Sequence, residues 1–233
     1  MPRKPSVRST LGQALSPAET VAQPRPPSDI YNMAGKRLAD LVIGGALLLL
    51  TAPLVLVLGL AVVLGTGWPA FYRARRIGKD GRVFGMWKLR TMVHDADQLL
   101  EDWRRDGHHL RSEYEQRYKI TEDPRVTRLG RFLRKTSLDE LPQFWNVIKG
   151  DMSLVGPRPV TGRETDLYES ERELLLSVRP GVTGAWQVAG RSLVPYNRRM
   201  ELELDYCRHP TLGRDLAILA RTPLAIISTR GAS

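Results

Sequence analysis

The sequence predicts an α-rich α+β protein tied to a membrane by one broken helix, and three observations carry that expectation. The run Leu41–Leu64 is uncharged and almost wholly Leu, Val, Ala, Ile and Gly. As one helix, about two dozen such residues just reach across a bilayer core. Pro53 sits near its middle, where it removes a backbone donor and clashes with the carbonyl four residues back, so a sharp bend is expected. Cations stand on both sides, Lys36 and Arg37 before the run and Arg73, Arg75, Arg76, Lys79 and Arg82 after it. Under the positive-inside rule both flanks then prefer the cytoplasm.

Proline alone is equally compatible with a mildly kinked spanning helix, because neighbouring groups can re-satisfy the freed carbonyl. The paired basic flanks favour re-entry, with half-helices over residues 40–52 and 54–64 entering and leaving by the same leaflet. A buried core helix would be shorter and would keep a polar stripe. The division that follows is a polar tail over 1–32, a membrane helix-break-helix over 33–70 and a cytosolic domain over 71–233. The tail is rich in Pro, Ser, Thr, Ala and Gln, has no apolar periodicity and cannot offset its own ordering entropy, so it is expected to be disordered. It also lacks the apolar core of a signal peptide, which places the domain on the cytoplasmic side.

At 233 residues the chain can bury one ordinary core, or a small core and a membrane element, but not two large domains. Its formal charge of +10 points to an acidic partner surface: nucleic acid, anionic lipid or a phosphorylated substrate. The single Cys207 rules out an intramolecular disulfide and a thiolate zinc site. His108 and His109 are adjacent and point apart on a helix, so they make a poor metal pair.

After the membrane element, Phe71–Met92 reads as a glycine-punctuated hairpin or turn-rich region. Asp95–Tyr118 reads as a surface helix or helix pair serving as scaffold. The chemistry concentrates further on, where five cations between Arg125 and Lys135, Arg131 among them, precede the adjacent carboxylates Asp139 and Glu140. Pro142 is tolerated only in a first helical turn, so a helix is expected from about Asp139 to Gly150. Asp139 is then a natural N-cap, and Ser137-x-x-Glu140 matches a capping box. A helix N-terminus also binds phosphate and lowers the pKa of a nearby carboxylate, so capping and a nucleophilic or metal-binding role are compatible. Lys88 and Arg90 in Lys88-Leu-Arg-Thr-Met92, and Arg158 held between Pro157 and Pro159, suit fixed phosphate contacts. Leu212–Ile227 is apolar enough to lie against lipid headgroups, and equally reads as a core helix.

Taken in order, Lys36-Arg37-x-x-Asp40, the proline-interrupted run, Lys88-Leu-Arg-Thr-Met92, Ser137-Leu-Asp-Glu-Leu-Pro-Gln143, Gly150-Asp-Met-Ser-Leu-Val-Gly-Pro-Arg-Pro159 and Arg179-Pro-Gly-Val-Thr-Gly184 resemble the bacterial sugar transferases, or monotopic phosphoglycosyl transferases. The resemblance runs from Lys36 to the C-terminus. It implies a re-entrant helix, a mostly helical cytosolic face lying on the bilayer of the bacterial inner membrane, and a Mg2+-dependent ping-pong reaction. By the family motif Asp139 would be the nucleophile that attacks the sugar-bearing phosphate of a UDP-sugar and releases UMP. Glu140 would bind the metal or handle a proton, with Lys88, Arg90, Arg131 and Arg158 on the phosphates. Polyprenyl phosphate, undecaprenyl phosphate in bacteria, would accept the phosphosugar. Anionic lipid is then the expected surface partner, nucleic acid is not, and a homo-oligomer is left open.

Two departures stand out: Ala52 precedes Pro53 where many members carry Ser, and the several spanning helices of longer members are absent. The short form resembles those initiating exopolysaccharide synthesis, and Gly184-Ala-Trp-Gln-Val-Ala-Gly-Arg191 looks most like the galactose or glucose type. A membrane-tethered nucleic-acid regulator would need a recognition motif the sequence lacks. A scaffold of an assembly complex would not need Asp139 beside Glu140.

Overall fold

The computed structural model describes residues 34–106, 120 and 123–228. The expected tail, the histidine pair and the chain beyond Ser228 lie outside the described residues. In chain order the elements are α1 (Lys36–Thr66), β1 (Phe71–Ile77), β2 (Val83–Leu89), α2 (Ala96–Asp106), α3 (Arg128–Thr136), α4 (Gln143–Lys149) and β3 (Ser153–Val155). There follow α5 (Gly162–Asp166), α6 (Arg172–Leu176), β4 (Gly181–Thr183), α7 (Ala185–Val188), α8 (Tyr196–Arg208) and α9 (Leu212–Ile227). The α-rich α+β expectation holds: two small two-stranded sheets sit among helices.

The expected hairpin is β1 against β2, antiparallel, from Phe71 opposite Leu89 to Ile77 opposite Val83. Its turn runs through Asp80 and Gly81, both at positive φ. β3 and β4 form a parallel pair, and three glycines let their flanks touch. A Cβ on Gly181 or Gly184 would collide with the backbone of Gly156, and one on Gly156 with the carbonyl of Arg179. The Gly156-Pro-Arg-Pro159 and Arg179-Pro-Gly-Val-Thr-Gly184 motifs are thus two halves of one interlocked crossing.

One core cluster joins the hairpin to α4, α8 and α9 through Ala74, Met86, Val147, Met152, Leu154, Val155, Tyr206 and Ile218. Ile218 puts one side of α9 in this core, while Leu212, Leu216, Leu224 and Ile227 remain exposed on the same helix. A second cluster packs α6 on α8 around Tyr168, Leu174, Leu175, Leu204 and Cys207. Burial raises the Cys207 thiol well above its ordinary pKa, so it packs as a small apolar group.

The helix α1 corrects one expectation. Residues 36–66 form a single helical span with Pro53 inside it, rather than separate helices over 40–52 and 54–64. Pro53 withholds a donor from the Leu49 carbonyl without ending the helix. Just before it, the Thr51 hydroxyl donates to the Leu47 carbonyl at 2.7 Å, supplying a local side-chain bond to the backbone where the ladder is thinned. The apolar middle points outward, with Leu49 77 % and Leu50 76 % exposed. Such a surface needs an apolar surrounding, and by length and composition this is the one described helix able to cross a membrane.

Both ends of α1 dock on the rest of the protein. At the first, Lys36 pairs with Asp215 and donates to the Tyr206 hydroxyl. Arg37 donates to the Val147 and Ile148 carbonyls at 2.6 and 2.7 Å, satisfying the open end of α4. Buried Asp40 accepts from the Ser153 hydroxyl and the Leu154 amide, both at 2.9 Å. At the other end Val62 packs with Leu89 and Leu133, and Arg90 donates to the Thr66 carbonyl and hydroxyl at 2.9 and 2.8 Å and to the Gly67 carbonyl.

Candidate active site

The carboxylate pair owes its position to two tight joints. Thr127 caps α3, its hydroxyl accepting from the Gly130 amide at 2.8 Å. A Cβ on Gly130 would collide with the Thr91 carbonyl, which itself accepts from the Thr127 amide. Glycine therefore lets α3 lie against the chain leaving β2. At its far end α3 stops at Ser137, whose φ of 58° is left-handed, a conformation that usually goes to glycine. The chain then winds one 3-10 turn, Leu138–Glu140, before α4 begins at Gln143 and ends at left-handed Gly150. The second joint is Asn146 of α4, fully buried. It accepts from the Trp87 amide and donates to the Gly85 carbonyl, each at 2.9 Å, fixing β2 against α4.

The result is that Lys88 of β2 sits over both acids, 2.7 Å from Glu140 Oε1 and 3.7 Å from Asp139 Oδ2. Asp139 is buried at 6 % exposure, whereas the Glu140 side chain keeps 33 %. Burial pushes the Asp139 carboxyl above the usual range; Lys88 and Arg134 pull against that, and the charge on Glu140 adds to it. For Glu140 burial also works upward, but Lys88, Arg158 and Arg191 outweigh it and hold the group below its ordinary value. One environment thus drives two neighbouring carboxyls apart, an arrangement typical of acid–base and nucleophilic sites.

The helix-terminus expectation is corrected by this geometry. The α-helix does not start at Asp139, and neither Ser137 nor Pro142 makes a side-chain cap. Ser137 and Glu140 do not form the capping box; the box that forms is Thr161 with Glu164 on α5. A single 3-10 turn carries little aligned dipole, so desolvation, not a helix end, dominates at Asp139.

Lys88, Asp139, Glu140 and Arg158 come together as expected. Arg90 does not join them, because its guanidinium is committed to the end of α1. Exposed Arg131 donates to the Val126 carbonyl, just before the Thr127 cap of its helix, at 3.1 Å. The α3 cation that does face the pair is Arg134, whose Nε donates to the Thr91 hydroxyl at 2.9 Å and whose charge acts on Asp139. Arg76 of β1 and Arg191 complete the cationic surround, each acting on Glu140. Arg134 lay in the basic run before the acids and Arg191 at the end of Gly184–Arg191, yet only the turn at Ser137 shows which arginines reach the acids.

Among the described residues no three His, Cys, Asp or Glu side chains gather as a complete metal cage. Two hard carboxylates suit Mg2+ all the same, since that ion keeps waters and is commonly held by one or two carboxylates together with substrate phosphates.

The sequence model of a family described as "Bacterial sugar transferase" matches residues 31–229. The chain is 41 % identical over 197 residues to an undecaprenyl-phosphate galactose phosphotransferase of Salmonella typhimurium, covering 84 % of this chain and 41 % of that one. It is 41 % identical over 228 residues to the exopolysaccharide production protein ExoY of Rhizobium meliloti, covering 98 % and 99 %. A UDP-glucose:undecaprenyl-phosphate glucose-1-phosphate transferase of Klebsiella pneumoniae is 35 % identical over 206 residues, covering 84 % and 41 %. The chain therefore spans about two fifths of the first and third of these relatives and nearly all of the second.

Proposed function

Because the chain belongs to the bacterial sugar transferase family, we propose that it transfers a hexose 1-phosphate from a UDP-sugar of the galactose or glucose type to undecaprenyl phosphate, initiating exopolysaccharide synthesis. The observation that carries the reading is the buried Asp139 beside Glu140 under one shared Lys88. Relatives named as galactose and glucose phosphotransferases support the substrate class.

In the proposed reaction an Asp139 oxygen attacks the β-phosphorus, and the bond from that phosphorus to the bridging oxygen of the α-phosphate breaks. UMP leaves with the bridging oxygen, and the hexose phosphate stays on Asp139 as an acyl phosphate. A phosphate oxygen of the lipid then attacks the same phosphorus, expelling the Asp139 carboxylate and forming the polyprenyl diphosphate sugar. Lys88, Arg134, Arg158 and Arg191 offset the negative charge that otherwise keeps a carboxylate from a diphosphate. Magnesium held by Asp139 or Glu140 would supply further neutralisation of the phosphates. Asp139 must be ionised to attack, so its raised pKa makes it a better nucleophile once deprotonated but sets a lower pH limit.

The fixing of both ends of α1 to one domain supports a helix that dips into the cytoplasmic leaflet of the inner membrane and returns, keeping the acids near the headgroups of the lipid acceptor. The exposed apolar residues of α9 extend the surface offered to anionic lipid. Incubation with Mg2+ and β-phosphate-labelled UDP-galactose or UDP-glucose, without lipid, tests the reading. Label should stay on the protein as UMP appears, and should leave on adding undecaprenyl phosphate. Turnover without any labelled protein would instead indicate direct transfer in a ternary complex.

A further inference from the structure

Buried side-chain polar atoms are almost always hydrogen-bonded in folded proteins, so an unpartnered one asks for an explanation. Among the described residues five such atoms occur: Arg90 Nε, Trp186 Nε1, Gln187 Oε1, Arg191 NH1 and Arg199 NH2. Four of the five fall between Trp186 and Arg199, and this segment is joined to the carboxylate turn. Arg191 donates through its other terminal nitrogen to the Ser137 hydroxyl at 2.7 Å, two residues before Asp139. Its own φ of 55° is left-handed, following Gly190 at 138°, a backbone cost that persists only where surrounding structure holds it. Arg199 and Arg158 lie over the Trp186 ring at 4.8 and 5.6 Å. Glu203 accepts from Arg199 Nε at 3.3 Å and from the Arg158 amide at 3.1 Å.

We propose that Trp186, Gln187, Arg191 and Arg199 line the subsite for the hexose ring of the nucleotide sugar, which rests on the transferase reading above. The unpartnered set comprises three donors and one acceptor. A phosphate only accepts and would leave Gln187 Oε1 unmatched; a sugar hydroxyl both donates and accepts. Position separates the hexose from the base. The hexose is joined to the β-phosphorus through a single oxygen, whereas uracil lies beyond the α-phosphate and ribose. Arg191, held beside Ser137 and acting on Glu140, therefore meets the sugar first. Two guanidinium groups already lie over the Trp186 ring, so the indole positions the arginines and offers the sugar its N–H rather than a stacking surface.

The test compares wild type with Gln187→Ala and Arg191→Lys, reading kcat/KM for UDP-galactose and UDP-glucose and the inhibition constant of UDP, which carries no hexose. Both variants should lose about tenfold in kcat/KM for the preferred sugar. The preference between these two sugars, which differ in one hydroxyl configuration, should narrow, and UDP inhibition of Gln187→Ala should stay within about twofold. An equal loss of UDP affinity in Gln187→Ala would move the set to the nucleotide and overturn the proposal. Unchanged kinetics in soluble, folded Gln187→Ala would make these atoms purely structural and overturn it too. A wild-type protein that releases no UMP from any UDP-hexose would overturn the transferase reading itself.

Discussion

Arg191 and Ser137, 54 positions apart in sequence, meet through a guanidinium-to-hydroxyl hydrogen bond of 2.7 Å, and both hold left-handed backbones at φ 55° and 58°. Each residue accepts a conformation that glycine would occupy more easily, and the bond between them fixes the turn that presents Asp139. Relief of that backbone and loss of the charged hydrogen bond oppose each other in Ser137→Gly, so its stability, read from the denaturant midpoint, should stay within about 1 kcal/mol of wild type. The same variant should turn over more slowly, because Arg191 loses its acceptor. A fully active variant would contradict this account.

Asp139→Asn should abolish protein labelling by a β-labelled UDP-sugar and should also stabilise the protein near pH 7. The sign follows from the raised carboxyl: its neutral form is favoured in the folded state, so its contribution is fully present below the unfolded value of 3.8 and lost as pH rises through the folded value. Asn resembles the neutral acid at every pH. Its advantage in thermal melts should consequently grow upward from about pH 4 and vanish below it.

Lys88→Met removes the cation shared by both acids. Asp139 then faces burial and the Glu140 charge with less opposition, and its pKa rises further. The acidic limb of the pH–rate profile should move to higher pH, in addition to a fall in maximal rate. A lower rate with an unmoved limb would remove Lys88 from the control of Asp139.

Arg134→Ala and Arg131→Ala should separate cleanly. The first withdraws a charge acting on Asp139 and should slow turnover by about a hundredfold. The second loses only a local bond to the Val126 carbonyl and should stay within about twofold. Comparable losses in the two variants would show that α3 acts through its overall charge.

Arg90→Met should cost about 2–3 kcal/mol of stability, by freeing the Thr66 and Gly67 carbonyls from a charged donor. The protein that remains folded should keep its KM for UDP-sugar. A raised KM with unchanged stability would return Arg90 to the substrate site.

How far the sequence spoke differs from residue to residue. Asp139, Glu140, Lys88 and Arg158 were legible because motif spacing and the cations around adjacent acids outlined a site before any fold was known. Arg90 was not, since residues two apart on a strand share a face and Lys88 implied the same destination for it. β2 ends at Leu89, and the next residue turns to the end of α1. Ser137-x-x-Glu140 spelled a capping box, but the left-handed backbone at Ser137 diverted its hydroxyl to Arg191. The Lys36-Arg37-x-x-Asp40 motif was visible as a flank, while its role in docking α1 depends on Val147, Ser153 and Asp215, all more than 100 positions away.

The two anchored ends of α1 make its apolar length a matter of phase as well as reach. Each residue inserted between Thr51 and Leu58 would rotate everything beyond it by about 100°. Lys36 and Asp40 would stay seated while Gly59 and Val62 swung away from Leu89. Lipid alone would tolerate almost any apolar residue there and many lengths, yet the protein fixes the helix like a key cut at both ends. Drift in that segment should therefore favour substitution over insertion, and a lengthened helix should regain its fit only near whole turns.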